Sequence, residues 1–168
     1  DIIISNLSKS YGDKNKKVFV VKDVSLTVAK GTVFGFIGPN GAGKTSTIKM
    51  LVGLSHPTSG SISVGGASPH EMSTHRKIGF MPESPTFYQY LTGGEFLDFI
   101  ATLFKITNKE DRITKVFTEV NLLHAKDKRI RAYSKGMLQR LGLAQAMLND
   151  PEILFLDEPL DGLDPLGR

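Results

Sequence analysis

The sequence predicts an α/β fold with a parallel sheet at its core and a helical segment inserted into it, and three observations support this prediction. Short runs of β-branched residues, such as Val18 to Val21 and Val24 to Val28, make residues 1 to 66 rich in strand-forming sequence. Apolar side chains recur at helical spacing between about residues 89 and 132. Ile153 to Leu156 is a continuous apolar run of the kind that is buried in parallel sheets.

The first third of the chain is predicted to form short strands and one helix. Val33 to Ile37 is an apolar run that predicts a strand directly before a glycine-rich loop. A helix is predicted over Lys44 to Leu54, and we expect Gly53 to end it because glycine is common just past the last helical turn. Ser61 to Val64 alternates polar and apolar residues, as a short strand does.

The middle of the chain predicts amphipathic helices and contains no strand candidate. Residues three or four positions apart share one face of a helix. The apolar residues with this spacing are Phe96, Phe99, Ile100 and Leu103 in one group, and Ile113, Val116, Phe117 and Val120 in another. A further helix is predicted to follow Ser134 and to run to about Leu148, before the apolar run that begins at Ile153.

Composition limits the classes of function that need to be considered. The 168 residues are 40% hydrophobic and 23% charged, which suits one globular domain. The chain has no cysteine, which excludes disulfides and thiolate chemistry and fits an intracellular location. Its net charge of +4 is scattered, so no nucleic-acid partner is expected. No apolar run reaches the ~18 residues that a bilayer requires, and the first residues do not resemble a signal peptide.

The most specific pattern is a glycine-rich loop that suits a phosphate group. Residues 38 to 45 read Gly-Pro-Asn-Gly-Ala-Gly-Lys-Thr, an unbroken GxxxxGK[ST]. Its glycines allow backbone N–H groups to converge on an anion, and the following helix adds the positive end of its dipole. We expect Lys44 to reach the β- and γ-phosphates and Thr45 to place its hydroxyl on Mg²⁺, whereas a glycine-rich turn without a ligand is the alternative. The residues predicted to hold the nucleotide here are Gly38, Pro39, Asn40, Gly41, Ala42, Gly43, Lys44, Thr45 and Ser46.

Two acids follow the apolar run near the end of the sequence. Asp157 and Glu158 come directly after Leu156, and ligands of parallel α/β sheets bind at the carboxyl ends of strands. Taken alone, this segment would be a strand with a solvated acidic turn. Together with a phosphate loop, it predicts that Asp157 holds Mg²⁺, directly or through water, and that Glu158 acts as the general base on the attacking water.

These motifs, with two others, resemble the nucleotide-binding domain of ABC-type ATPases over the whole length of the chain. Residues 38 to 45 resemble the Walker A motif of that family, and residues 153 to 158 resemble its Walker B motif. Residues 134 to 137 resemble a variant of the LSGGQ signature, and residues 161 to 164 resemble the loop that follows Walker B. Tyr11 stands where the family places an aromatic ring against adenine.

The resemblance implies a P-loop NTPase core with a parallel sheet, an N-terminal antiparallel β-subdomain and an inserted helical subdomain. We expect the β-subdomain and the phosphate-loop core in residues 1–88, the helical subdomain in 89–134, and the return to the core in 135–168. In the family, a switch histidine follows the position of Asp164, and no histidine of this sequence follows His124. We therefore expect a domain cut short, or a fragment of a longer protein, that binds nucleotide but hydrolyses it poorly as it stands.

The resemblance also implies a mechanism in which two domains pair head to tail. Ser134 and the N–H of Gly136 would contact the γ-phosphate of ATP that is bound to the partner domain, although Ser134 could equally serve only as a helix cap. Lys135 and Met137 replace the glycine and glutamine of the family signature. Glu83 replaces a glutamine that senses Mg²⁺ and meets the membrane partner. These variants resemble the ATPase subunits of ABC-2-type exporters.

The function implied is that of an ATP-binding and ATP-hydrolysing subunit that powers membrane transport, in the direction of export. Its partners would be a transmembrane permease subunit, docked on the Glu83 loop and on residues 89 to 132, and a second ATP-binding domain of the same or a different chain. It would lie at the cytoplasmic face of the cell membrane. The alternative is a soluble ABC ATPase that acts on ribosomes or DNA; the paired domains or long coiled coil typical of that class do not appear here. A P-loop kinase or GTPase would leave residues 134 to 137 unexplained.

Overall fold

A computed structural model describes residues 1–12 and 16–159. The chain divides into two compact units, one formed by Asp1–His75 and the other beginning at Arg76. The first unit holds an antiparallel sheet with a helix, and the second holds a parallel strand pair with three longer helices. The α/β fold class predicted from the sequence is therefore confirmed.

The sheet of the first unit has three strands in the order β2-β1-β3, and both pairings are antiparallel. In β1, Ile4 is buried and lies opposite Leu26 on one side and Ile62 on the other. The two β-branched runs predicted on either side of Asp23 belong to one continuous strand. Asp23 adopts a φ of 50° at an irregularity in the ladder. Its N–H donates to Ser8 Oγ at 2.9 Å, which keeps this part of the strand bonded to β1. The strands are β1 (Ile2–Tyr11), β2 (Val18–Val28) and β3 (Ser59–Val64).

Helix α1 (Lys44–Leu51) begins at the predicted residue and ends three residues before the predicted Leu54. It buries Ile48, Met50 and Leu51 and packs on β2 and β3. Gly53 follows the helix with a φ of 76°, a conformation that glycine adopts without strain. The four-residue helix α2 (Met72–His75) then closes the unit.

The strand predicted over Val33 to Ile37 is wrong. These residues belong to no strand of the described chain, and the side chains of Val33 and Ile37 are fully exposed, at 101% and 97%. An apolar run forms a strand only where a neighbouring strand accepts its hydrogen bonds. In the described residues β1, β2 and β3 form one sheet and a further strand pair forms another, and none of these strands pairs with this run.

The second unit contains the parallel pair β4 (Ile78–Met81) and β5 (Ile153–Leu156), in which Ile78 lies opposite Ile153. Strand β5 was predicted from the sequence, whereas β4, which has only four residues and includes Gly79, was not. That glycine is required, because a Cβ at this position would collide with the carbonyl oxygen of Ala146 in the helix packed on the strand.

Three helices pack around one core in the second unit, and they confirm the helical spacing read between residues 89 and 148. Thr92 caps the first of them in a capping box with Glu95, and Ser134 caps the last. No strand occurs in residues 89–132, all of which are described. No helix in the described ranges is long and apolar enough to cross a membrane. The helices are α3 (Gly93–Leu103), α4 (Lys109–Glu119) and α5 (Lys135–Met147), with 3-10 turns at Leu123–Ala125 and Ile130–Ala132.

Candidate functional site

The phosphate loop curls around the ammonium group of Lys44. Its Nζ donates to the carbonyl oxygens of Gly38 at 2.8 Å and Pro39 at 3.2 Å. The loop is tightened further by the N–H of Ala42, which donates to the Pro39 carbonyl at 3.2 Å. A positive charge is thus held beside the backbone of the loop, where it could move to an anion bound there.

Two glycines give the loop its shape. Gly41 and Gly43 have φ values of 83° and 87°, which side chains of L-residues rarely adopt. Gly43 also passes so close to β2 that a Cβ would collide with the carbonyl oxygen of Val20. The backbone conformation explains glycine at both positions, and the close approach to Val20 is a second reason for it at Gly43.

The start of α1 offers hydrogen-bond donors to an anion. The first bond within the helix runs from the N–H of Thr47 to the carbonyl of Gly43 at 2.8 Å, so the N–H groups before Thr47 have no acceptor inside the helix. Gly43 is the N-cap and makes no side-chain cap, and the first turn contains no acid. Backbone donors, the helix dipole and an ammonium group together suit a polyphosphate.

The remaining residues predicted at the nucleotide are partly or fully exposed around this loop. Thr45 and Ser46 are half-buried in the first turn of α1. Tyr11 ends β1 with 52% of its surface exposed, and the ammonium of Lys9 lies 5.0 Å from its ring centroid. The Tyr11 ring is thus open to a flat partner such as a base. Gly38 is half-buried, and the exposed loop residues are Pro39, Asn40, Gly41 and Ala42.

In the second unit, the carboxyl ends of β4 and β5 bring the predicted acids to one edge of the sheet. The N–H of Asp157 donates to the carbonyl of Met81 at 2.9 Å, so the ladder continues one residue past β5. Asp157 is buried, with 3% of its surface exposed. Glu83 is exposed in the loop that follows β4, two residues after Met81. No group of three or more His, Asp or Glu side chains in the described ranges could hold a metal ion alone.

The chemistry of these acids nevertheless suits Mg²⁺ held with a nucleotide. Magnesium is commonly bound through one or two carboxylates together with substrate phosphates, and it keeps several waters. A buried carboxylate at a strand end and an exposed one in the neighbouring loop meet that requirement without a dedicated protein cage.

Glu158 follows Asp157 with a φ of 50°, a left-handed conformation that is uncommon for a residue with a side chain. Its carbonyl oxygen accepts a hydrogen bond from Nε2 of Gln139 at 3.2 Å. Gln139 belongs to α5 and is 6% exposed. Gln139 was not among the site residues predicted from the sequence. The spacing in the sequence could have identified it, because Gln139 lies on the same face of the helix as Gly142 and Ala146, and these two residues pack close to the sheet.

The predicted signature residues lie at the start of α5. Oγ of Ser134 accepts a hydrogen bond from the N–H of Met137 at 3.3 Å, so the capping role is present. Ser134 and Lys135 are exposed, Gly136 is half-buried, and the first turn of the helix contains no acid. This helix end therefore presents a hydroxyl and backbone donors at the surface. Residues 161 to 164, which resemble the loop after Walker B, lie outside the described residues.

An aromatic cluster is formed by residues that follow Glu83 in the chain together with residues of α3. It consists of Phe87, Tyr88, Tyr90, Phe96 and Phe99, with ring centroids 5.3 Å apart for Phe87 and Phe96 and 6.1 Å apart for Tyr88 and Phe99. Tyr88, Tyr90 and Phe99 each expose between 44% and 66% of their surface.

A basic segment, residues 128 to 131, is hydrogen-bonded to the chain beside the aromatic cluster. The N–H of Ile130 donates to the Leu91 carbonyl at 2.9 Å, and that of Arg131 donates to the Gln89 carbonyl at 3.1 Å. These bonds tie the segment to the residues around Tyr90. Its exposed basic side chains are Lys128, Arg129 and Arg131.

A phosphate loop at the start of a helix, in a chain with a parallel sheet whose strands end in acids, defines the class of P-loop nucleotide-binding proteins. Comparison with known families agrees and is more specific. The family model described as ABC transporter matches residues 21–161. The chain belongs to this family, which confirms the resemblance read from its motifs.

The curated relatives carry matching names. An uncharacterised ABC transporter ATP-binding protein of Synechocystis sp. is 46% identical over 92% of this chain and 45% of its own length. The bacitracin transport ATP-binding protein BcrA of Bacillus licheniformis is 42% identical over 97% of this chain and 52% of its own length. The chain thus spans about half the length of the curated relatives it matches.

Solved structures support the fold. The ATP-binding subunit of an ABC transporter superposes with a TM-score of 0.83 at 32% identity, covering 99% of this chain and 69% of that one. A dimeric bacterial ABC transporter cassette, MJ0796, gives a TM-score of 0.89 over 99% of this chain and 78% of its own. At 23% identity, the second likeness shows the fold alone.

Proposed function

We propose that the protein containing this chain binds ATP with Mg²⁺ and hydrolyses it to drive transport across a membrane. The observation that carries this proposal is the phosphate loop: Lys44 is held on the loop carbonyls at the uncapped start of α1. Membership of the ABC transporter family supports the transport role. The name of the bacitracin transport protein BcrA supports a related role here, for which we propose export.

In this function the loop residues bind the phosphates of ATP. The backbone donors at the start of α1 and the ammonium of Lys44 would neutralise the phosphate charge, and the exposed ring of Tyr11 would stack on the adenine. Thr45, Asp157 and Glu83 would hold Mg²⁺, which supplies charge stabilisation at the β- and γ-phosphates. Glu158 would take a proton from the attacking water as the general base.

The signature residues would act on a second nucleotide. Ser134 and the N–H of Gly136 stand at the start of α5, whose dipole favours an anion. We propose that they contact the γ-phosphate bound by a partner ATP-binding domain, so that ATP closes a head-to-tail dimer and hydrolysis reopens it. The MJ0796 cassette, a protein of the same fold, is dimeric in its solved structure.

The membrane partner would dock on the aromatic cluster and the loop that carries Glu83. Exposed Tyr88, Tyr90 and Phe99 provide apolar area for such a contact, and the neighbouring basic side chains favour a partner segment that contains acids. The transmembrane permease subunit is the partner that this role requires. The protein would accordingly lie at the cytoplasmic face of the cell membrane.

The substitution Lys44→Ala tests nucleotide binding. Charge-assisted hydrogen bonds contribute about 1.5–3 kcal/mol each, so we expect the affinity for ATP to fall roughly 10- to 100-fold in calorimetric titration. Lys49→Ala is the matched control, because Lys49 is exposed on the same helix. Equal affinities of the Lys44→Ala variant and the control would refute the proposed binding site.

A further inference from the structure

The buried amide of Gln139 connects the helix that begins with the signature to the residue proposed as the general base. Its Nε2 donates to the carbonyl oxygen of Glu158 at 3.2 Å. Gln139 is one of five buried polar or charged residues in the described chain, and the only one of them on α5. Buried amides in proteins nearly always have a hydrogen-bond partner, and the Glu158 carbonyl is the partner of this one.

Helix α5 holds this amide firmly because it packs on the sheet at close range. A Cβ on Gly79 of β4 would collide with the Ala146 carbonyl of α5, and a Cβ on Gly142 would lie 3.1 Å from Pro85. Gly142 and Ala146 follow Gln139 by three and seven positions, so the three residues share one face of the helix. The helix and the sheet can therefore approach this closely because each has a glycine at the contact, Gly142 in α5 and Gly79 in β4.

The backbone at Glu158 needs such support. The ladder of β5 ends with the bond from Asp157 to Met81, and Glu158 is the first residue beyond it. Its φ of 50° is a conformation that a residue with a side chain keeps only when its surroundings hold it. The hydrogen bond from Gln139 acts on the carbonyl of this same residue.

We propose that Gln139 is a positioning residue for the ATPase reaction, which fixes the left-handed backbone of Glu158 and so the direction of its carboxylate. This inference rests on the proposed function. It adds a physical link within one unit between the signature helix and the general base. Gln139 touches neither nucleotide nor water in this role and acts only through Glu158.

The test is Gln139→Met in the full natural protein with its partners, since methionine keeps the volume and loses the N–H donor. We expect kcat for ATP hydrolysis to fall about tenfold, as a small loss of general-base alignment would produce. The KM for ATP and the melting temperature should match those of Gln145→Met, the same substitution six residues further along α5. An unchanged kcat, or equal losses in both variants, would overturn the inference.

A second variant, Gln139→Glu, adds a readout that a purely structural role would not move. The carboxylate has no proton to donate to the Glu158 carbonyl, whereas the protonated carboxyl has one. Burial raises the pKa of a carboxyl group, so more of this one is protonated at pH 6 than at pH 8. Charged groups lie on α5 itself (Lys135 and Arg140), after β5 (Asp157 and Glu158) and after β4 (Glu83). The two other helices packed on α5 carry Glu95 and Asp98 in α3 and Lys109, Glu110, Asp111, Arg112, Lys115 and Glu119 in α4.

We therefore expect kcat of Gln139→Glu, divided by that of the unchanged protein, to rise as the pH falls from 8 to 6. A ratio that stays constant or falls would overturn the positioning role. If the unchanged protein and Gln145→Met both bind ATP but hydrolyse none, the proposed function itself fails, and this inference fails with it. Hydrolysis by both, with no effect of Gln139→Met, defeats the inference alone.

Discussion

At the scale of single residues, Tyr133 shows how one buried polar group joins parts of the helical core. Its hydroxyl donates to the Ala125 carbonyl at 2.7 Å and lies against the start of α3, where a Cβ on Gly93 would collide with it. Burial, and to a lesser extent the charge of Asp127, raises the pKa of Tyr133 to about 12 from 10.0. The neutral phenol is thus the form that the fold requires.

This shift predicts a loss of stability in alkali. Below pH 10 the phenol is neutral in both states and its contribution is complete; above pH 10 the unfolded chain releases the proton while the folded chain keeps it until about pH 12. We expect up to about 2–3 kcal/mol of unfolding free energy to disappear between these values. Chemical denaturation at several pH values measures it.

Two variants separate this effect from other causes of instability in alkali. Tyr133→Phe should be less stable at pH 8, because the Ala125 carbonyl loses the hydroxyl donor and keeps only the N–H of Lys128. It should also show a smaller decline between pH 10 and 12. Tyr90→Phe, at an exposed tyrosine, should decline as the unchanged protein does. Identical declines in all three proteins would contradict the assignment to Tyr133.

At the scale of elements, helix α3 is fixed at its start by reciprocal hydrogen bonds. The Thr92 side chain accepts from the N–H of Glu95 at 3.1 Å, and the Glu95 carboxylate accepts from the N–H of Thr92 at 2.7 Å. Phe96 and Leu97 in the first turns of the helix are buried in the core of this unit. The cap therefore supports the element that carries part of the aromatic cluster.

Thr92→Ala should lower the unfolding free energy by about 1 kcal/mol, because an N-cap threonine and its box partner are lost together. Thermal or urea denaturation measures the change. Thr118→Ala is the control, since that hydroxyl is exposed in α4 and bonds only within its own helix, to the Thr114 carbonyl. A loss no greater than that of the control would show that the capping box contributes little.

The elements also show where sequence patterns suffice and where they do not. Helix α5 could be predicted because Ser134 is a favourable cap and its apolar spacing is local, and β5 because four consecutive apolar residues precede two acids. Residues 33 to 37 carry an equally apolar pattern, but pairing is a property of two segments, and no described strand lies beside them. Strand β4 was missed because its four residues gain their order from β5 and α5.

The candidate site could likewise be predicted from the sequence only in part. The phosphate loop could be predicted because its chemistry lies in eight consecutive residues, which the structure folds around Lys44. The acids after β5 could be placed at a strand end. The contact of Gln139 with Glu158 spans 19 residues and depends on the packing of a helix against a sheet, so no local pattern contains it.

At the scale of the whole molecule, the proposed function requires a second ATP-binding domain. Each domain carries a phosphate loop at residues 38 to 45 and the signature residues that begin with Ser134. Under the proposed function, each ATP is bound by the loop of one domain and by the signature of a partner domain. Hydrolysis would then control how long two domains stay together.

The substitution Glu158→Gln tests this coupling in the full natural protein. Glutamine cannot accept the proton of the attacking water, so hydrolysis should slow by about 10²–10⁴-fold while ATP binding persists. With saturating Mg-ATP, the variant should accumulate as an ATP-bound dimer in size-exclusion chromatography with light scattering, and the unchanged protein should not. Glu152→Gln is the control, because Glu152 is exposed and pairs only loosely with Lys77, at 3.8 Å.

The outcomes discriminate between binding, chemistry and assembly. A Glu158→Gln variant that binds ATP and stays monomeric would refute ATP-driven dimerisation, even if its hydrolysis is slow. Normal hydrolysis by that variant would refute the general-base role while leaving the phosphate loop untouched. A Glu158→Gln dimer that forms without ATP would mean that association does not depend on the nucleotide. A dimer that forms equally in Glu152→Gln would mean that association does not depend on blocked hydrolysis; in either case hydrolysis could not be the step that separates the domains.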